Sequence, residues 1–215
     1  MGEDGVIILF DLDGTLIDST EAILESFHNS FDYYGVSHPS DERIEALIGY
    51  PLDVMYRELG TEEEKIWDYV ATYKEHYQKI STQKTVLLES AREAVSLADK
   101  FATLAVVTTK TGKYSRILLE HFELMKPFKV LIGREDVENP KPHAEPILNA
   151  LKALDLKDED VWMIGDTKLD LLSAQNAGVN AIAVLSGYDK REVLEEFTEF
   201  IFEDALQAVQ YLQGR

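Results

Sequence analysis

The chain has 215 residues, 45% hydrophobic and 10% aromatic, which supports a folded core and excludes wholesale disorder. Forty acidic side chains against 21 basic ones leave a net charge of −19, a field that repels nucleic-acid backbones and anionic membranes. There is no cysteine, hence no disulfide, no thiolate nucleophile and no cysteine-type zinc site. No apolar run approaches the roughly 20 residues of a membrane span. The acidic start running straight into an apolar strand does not read as a signal peptide. These features predict a soluble, cytoplasmic protein that binds neither nucleic acid nor membrane.

In chain order, Val6 to Phe10 is a short, apolar, β-branched run and the first predicted strand. From Leu16 to about Thr85 the periodicity is helical, with no convincing strand. Ile23, Phe27, Phe31 and Tyr34 recur at helical spacing and are closed by Gly35. Ser40 to Leu47 predicts a shorter helix ending near Gly49, and Ile66, Tyr69, Val70, Tyr73 and Tyr77 form a second stripe. Seven of the ten tyrosines fall in this block, where they read as packing residues with one wet edge rather than an aromatic ligand cage. The expectation is a helical cap over residues 16–85, inserted into a core built from 1–15 and 86–215.

Beyond the block, apolar strand patterns alternate with amphipathic helical ones. Predicted strands are Leu104 to Val107, Val130 to Ile132, Val161 to Ile164, Ala181 to Leu185 and Phe200 to Phe202. Between them lie predicted helices from Ser90 to Lys100, Lys113 to Glu123, Ala144 to Leu154, Leu169 to a cap at Gly178, Asp189 to Phe197 and Asp204 to Leu212. Near-continuous apolar strands separated by helices predict an α/β fold, a doubly wound parallel sheet covered on both faces.

Four segments carry chemistry. Asp11-Leu12-Asp13-Gly14-Thr15 directly follows the first strand, where ligands gather in α/β sheets, and its two acids can face the same side of the loop. Gly165-Asp166-Thr167-Lys168-Leu169-Asp170 follows a later strand; Asp166 and Asp170, four apart, share one face of the next helical turn. Carboxylates converging on one crevice need a cation, and oxygen-only ligands point to Mg²⁺. Lys141 sits between Pro140 and Pro142 on a stiff loop from which its ammonium can reach inward. Thr108-Thr109-Lys110 ends a strand just before a helix, where hydroxyls and N–H groups suit a phosphate oxygen, with threonine capping the equally simple alternative.

In this order the four segments resemble the signature motifs of the haloacid dehalogenase superfamily, over essentially the whole chain. Asp11-Leu-Asp-Gly-Thr-Leu-Ile-Asp-Ser, Ile48-Gly49-Tyr50-Pro51-Leu52 and Gly165-Asp-Thr look most like its phosphoglycolate phosphatase branch. Thr109 stands where those relatives often carry Asn, and Ala144 where a proline often follows. The resemblance implies a Rossmann-like core with a small helical cap, and hydrolysis of a small phosphate monoester such as phosphoglycolate. It implies that Asp11 is the nucleophile and forms an aspartyl-phosphate, and that Asp13 is the acid and base. Asp11 and Asp166, with the backbone carbonyl of Asp13, would hold Mg²⁺, and Asp170 would support the metal site. Thr108 and Lys141 would bind the transferring phosphoryl group, with Thr109 and Gly49 among the substrate contacts. The implied partner is a small phosphorylated metabolite, and the implied assembly a monomer or homodimer. The alternatives are a β-phosphoglucomutase-like phosphomutase, a pyrophosphatase and a catalytically silent binding protein. Against the mutase, Gly49-Tyr50-Pro51 lacks the arginine such caps carry; against silence, Asp11, Asp13, Lys141 and Asp166 are all present.

Overall fold

The computed structural model describes residues 5–156 and 160–215. Strand β1 (Val6–Phe10) is followed by the two-residue β2 (Ile17–Asp18). Helices α1 (Thr20–Tyr33), α2 (Asp41–Glu45) and α3 (Leu52–Glu58) come next, then a 3₁₀ turn (Glu63–Lys65) and α4 (Ile66–Ile80). After β3 (Val86–Leu87) the chain alternates: α5 (Ala91–Ala98), β4 (Ala102–Val107), α6 (Gly112–His121), β5 (Phe128–Ile132), a 3₁₀ turn (Arg134–Asp136), α7 (Glu145–Leu154) and β6 (Asp160–Gly165). It finishes with α8 (Lys168–Ala177), β7 (Asn180–Val184), α9 (Arg191–Leu194), β8 (Ile201–Phe202) and α10 (Ala205–Gln213). Two compact units result: Met1–Asp18 with Leu87–Arg215, and Ser19–Val86.

The first unit is built on a six-stranded sheet in the order β5-β4-β1-β6-β7-β8, with all five neighbouring pairs parallel. Because successive side chains of a strand point to opposite faces, the apolar runs divide into two cores. Ile8, Phe10, Leu104, Val106, Trp162 and Ile164 pack with Ala94, Val95 and Val209 of α5 and α10. On the other face Ile7, Leu9, Ala105, Val107 and Met163 pack with Ile147 and Ala174 of α7 and α8. This double covering explains why the strands read as unbroken apolar runs.

Strand β1 lies between β4 and β6, so the chain winds outwards on one side and then returns to the other. Phe10 pairs with Val106 on one neighbour and Ile164 on the other. The residues just beyond the three strand ends are therefore nearly level, and they are Asp11, Thr108 and Asp166. Such a reversal of winding opens a crevice at the carboxyl edge of a parallel sheet.

The second unit is helical, and aromatic side chains fill its interior. Phe27 of α1 is fully buried, with ring centroids 4.7 Å from Tyr56 and 5.0 Å from Tyr73; Phe31 meets Tyr69 at 5.3 Å. The Ser30 and Tyr56 hydroxyls are 2.5 Å apart, which satisfies a polar group inside the core. Tyr33 and Trp67 remain exposed, the wet edge expected of the stripe.

Several local expectations change. A strand, β2, does occur after Leu16, but two residues are too few to produce an alternating pattern. Helix α3 escapes periodicity because it buries only Met55 and Tyr56. The helix predicted from Asp189 to Phe197 shrinks to Arg191–Leu194, since Asp189 serves elsewhere, accepting the Lys168 N–H at 2.7 Å.

Phe27 supports both α3 and α4 through its ring contacts, so Phe27→Ala should cost about 3–5 kcal/mol of unfolding free energy and Phe27→Leu clearly less. Urea denaturation followed by circular dichroism measures both.

Candidate active site

The site lies wholly within the α/β unit, where four chain segments meet at the carboxyl edge of the sheet. Asp11 follows β1, its backbone fixed by an N–H donated to the Ile164 carbonyl at 2.9 Å. Thr108 follows β4, its N–H donated to the Ile132 carbonyl at 3.0 Å. Asp166 follows β6, and Asp170 lies in the first turn of α8. Lys141 comes from the loop between β5 and α7, with a cis peptide bond to Pro142. That loop is held by Glu145, whose carboxylate accepts the backbone N–H groups of Glu138 and Asn139 at 2.8 and 2.9 Å.

These residues are buried and interlocked. Lys141 Nζ donates to Asp11 Oδ1 at 2.8 Å, to the Val107 carbonyl at 3.1 Å and to Asp170 Oδ1 at 2.5 Å. All three ammonium hydrogens thus have an acceptor. The other oxygen of Asp170 accepts the N–H and hydroxyl of Thr167 at 3.0 and 2.7 Å, so one carboxylate both caps α8 and fixes the lysine. Asp166 accepts the Thr15 hydroxyl at 3.0 Å and the Tyr188 N–H at 2.9 Å. Asp13 stands beside this group, its Oδ2 3.0 Å from Lys110 Nζ.

The electrostatics follow from burial. Asp166 and Asp170 are fully buried, and Asp11 and Lys141 are only 6% and 4% exposed. The Asp11 carboxyl is pushed up to about 7, chiefly by burial, with Lys141 opposing the rise and Asp170 and Asp13 adding to it. Asp166 is held well above the usual carboxylate range, first by burial and then by the neighbouring Asp11 and Asp170. Burial would lower the Lys141 ammonium, but Asp11 and Asp170 outweigh it and hold it above the ordinary lysine value.

Asp11, Asp166 and Asp170 each offer a carboxylate oxygen, all within 4.8 Å of one another. Three buried carboxylates balanced by one ammonium carry two surplus negative charges when ionised, which matches a hard dication. The all-oxygen donor set fits Mg²⁺ rather than a softer metal. The Asp13 side chain is not part of this triad, being engaged with Lys110 instead.

Of the residues expected from sequence, the sheet brings Asp11, Asp13, Thr108, Lys141, Asp166 and Asp170 to its carboxyl edge. Thr109 is half-buried next to Thr108. Gly49 belongs to the helical unit, with a φ of +107° in a bridge between Ile48 and Tyr50. The histidines are engaged elsewhere: His28 with Asp41, His76 with Glu25, and His143 Nδ1 accepting the Glu145 N–H. Sequence reasoning gave no role to Thr15, Thr167 or the Ser186-Gly187-Tyr188 turn after β7. A hydroxyl of that turn, on Ser186, donates to the Gly14 carbonyl at 2.8 Å. The available signal was its place at the end of a parallel strand. Gly14 and Gly187 approach Asp166 so closely that an added Cβ would lie 2.3 and 2.0 Å from its Oδ2.

Residues 8–184 match the family model for haloacid dehalogenase-like hydrolases. The pyrophosphatase PpaX of Halalkalibacterium halodurans is 37% identical over 179 residues, covering 82% of each chain. That of Bacillus cereus is 32% identical over 194 residues, covering 88% of each. Among solved structures, a haloacid dehalogenase-like hydrolase from Streptococcus pneumoniae has a TM-score of 0.87 at 27% identity, covering 98% of this chain and 99% of its own. No helix among the described residues is long and apolar enough to cross a membrane.

The raised values at Asp11 and Asp166 fix a pH dependence. Between about pH 4 and 7 the metal-free folded protein holds a proton on Asp11 that the unfolded chain does not, and Asp166 is shifted in the same direction, so the contribution of these groups to stability falls as pH rises. Mg²⁺ takes the place of those protons, so its stabilising effect should grow over the same interval. Thermal denaturation with and without Mg²⁺ should give a larger increment in Tm at about pH 7.5 than at about pH 5.5. In Asp166→Asn the increment should largely disappear; equal increments at both pH values in the wild type would contradict the site. Gly187→Ala, by displacing Asp166, should weaken Mg²⁺ binding about 10- to 100-fold by titration calorimetry.

Proposed function

The chain belongs to the haloacid dehalogenase-like hydrolase family, and we propose that it is a Mg²⁺-dependent phosphatase whose substrate is inorganic pyrophosphate. The observation that carries the chemistry is the buried Asp11 carboxylate, gripped through one oxygen by Lys141 at the crevice in the sheet. For the substrate, the reading rests on the two pyrophosphatases to which this chain is 32% and 37% identical. That likeness favours pyrophosphate over the phosphoglycolate-like monoester expected from the motifs.

In this reading Asp11 attacks one phosphorus and the bond to the bridging oxygen breaks, leaving an aspartyl-phosphate and a free phosphate. Asp13 gives a proton to the departing oxygen, then takes one from the water that attacks the aspartyl-phosphate. A second phosphate is released and Asp11 is restored. Lys141 and the Thr108 hydroxyl hold the oxygens of the transferring group. Asp11 and Asp166 would hold Mg²⁺, and Asp170 positions the Lys141 ammonium and the Thr167 hydroxyl beside them. Bound Mg²⁺ supplies charge neutralisation at the phosphoryl oxygens, which is most of what phosphoryl transfer requires. A buried carboxylate among other acids is a competent nucleophile only in its ionised form, which the Lys141 ammonium and a bound cation favour. This explains how a chain of net charge −19 can attract a polyanion: the local field is set by cations and not by the total.

Initial rates on pyrophosphate, phosphoglycolate and a sugar phosphate with its bisphosphate test the assignment. The expected outcome is hydrolysis with pyrophosphate preferred, and no isomerised sugar. Hydrolysis of phosphoglycolate without that of pyrophosphate would return the reading to the monoester. Asp11→Asn should lower turnover by about 10⁴-fold while leaving the fold unchanged. Retention of even a tenth of the activity would remove Asp11 as nucleophile.

A further inference from the structure

Lys110 has no part in the chemistry described above, yet it is a second nearly buried ammonium in the same unit. Its side chain is 9% exposed and that of Asp13 12%, with Nζ and Oδ2 3.0 Å apart. Its backbone is tied to the site as well. The Lys110 N–H donates to the Thr108 hydroxyl at 3.2 Å, and its carbonyl accepts the Arg134 N–H at 3.0 Å. Enclosing a lysine and an aspartate together is costly, and such a pair adds little stability over an apolar one of the same volume. Its value lies in where it puts the charge.

We infer that Lys110 binds the leaving phosphate of a diphosphate substrate and so sets the preference for pyrophosphate over neutral-alcohol esters. This rests on the proposed role of Asp13. A group that protonates the departing oxygen must come within hydrogen-bond reach of it. Lys110, touching that same carboxylate, then lies beside whatever the departing oxygen is attached to. In an alkyl ester that is a CH₂ group, to which an ammonium offers nothing. In pyrophosphate it is a second phosphorus carrying anionic oxygens. When the bond from the bridging oxygen to the attacked phosphorus breaks, its electron pair stays on the departing phosphate. Asp13 supplies a proton, and Lys110 balances charge that no proton covers. Two lysines thereby divide the substrate: Lys141 serves the phosphoryl group that is transferred, and Lys110 the one that leaves.

The test compares wild type, Lys110→Met and Lys110→Arg, with Mg²⁺ present, on pyrophosphate, p-nitrophenyl phosphate and a simple alkyl phosphate. Losing a charged hydrogen bond to substrate should lower kcat/KM for pyrophosphate by about 10- to 100-fold in Lys110→Met. The aryl ester should change by less than about threefold, and Lys110→Arg should recover most of the pyrophosphate activity. If Lys110 only orients Asp13, the alkyl ester, which needs the acid most, suffers most while pyrophosphate follows the aryl ester; that pattern overturns the inference. A second measurement does not depend on turnover. Methylenediphosphonate should bind the wild type at least about tenfold more tightly than Lys110→Met, and methylphosphonate should not distinguish them. Equal diphosphonate affinity overturns the inference. Should Lys110→Met fail to fold, Lys110→Gln takes its place in both experiments. A wild type inert towards pyrophosphate would refute the proposed function by itself. The diphosphonate comparison would still decide whether Lys110 receives a second phosphoryl group.

Discussion

Enclosing Asp11, Asp166 and Asp170 around the single ammonium of Lys141 leaves more negative charge than the protein itself can neutralise. In a buried setting that surplus is relieved either by protons or by a cation, and both states must be accessible to a site that loads a metal. The surrounding hydrogen bonds are consistent with this demand. Thr15, Thr167 and the Tyr188 N–H all donate to the carboxylates, lowering the cost of ionisation without filling the site with fixed positive charge. A second lysine inside the triad would have stabilised the empty protein and left less room for a dication.

The sheet supplies the accuracy that this arrangement needs. Asp11, Thr108 and Asp166 each stand one residue past a central strand whose register is fixed by its neighbours. A slip of one residue would turn a carboxylate into the opposite core, so the pairing that buries Phe10, Val107 and Ile164 also aims the polar residues. The charged groups are thereby placed by apolar packing, which is insensitive to salt and to the protonation state of the site.

Most of that frame was legible in the sequence, because long apolar runs ending in Asp or Thr leave a clear trace. The strand before Asp11, the strand before Asp166 and the inward reach of Lys141 are all local or nearly local signals. What stayed hidden depends on distant residues. Gly187 matters only because folding brings it against Asp166, 21 positions earlier, and a glycine after a strand is too common to announce this. Asp170 looked like a helix residue supporting a metal, and its grip on Lys141 joins segments 29 residues apart. Lys110 lies within a threonine-rich run that gives no sign of its contact with Asp13. In the helical unit the tyrosine stripe predicts packing, and the rings of Tyr69 and Tyr73 do meet the phenylalanines of α1, joined by Tyr56 from outside the stripe. Helix α3 buries too few residues to have been recognised.

Asp170 spends one oxygen on Lys141 and the other on Thr167, so a single carboxylate serves both the start of α8 and the catalytic lysine. The consequence is genetic as much as structural. A lineage exploring new chemistry cannot alter this aspartate without disturbing the cap of α8 and the seat of Lys141 together. Mutant libraries that vary position 170 alone should therefore be nearly barren, while joint libraries of 141, 167 and 170 contain the compensated combinations by which such a site could move.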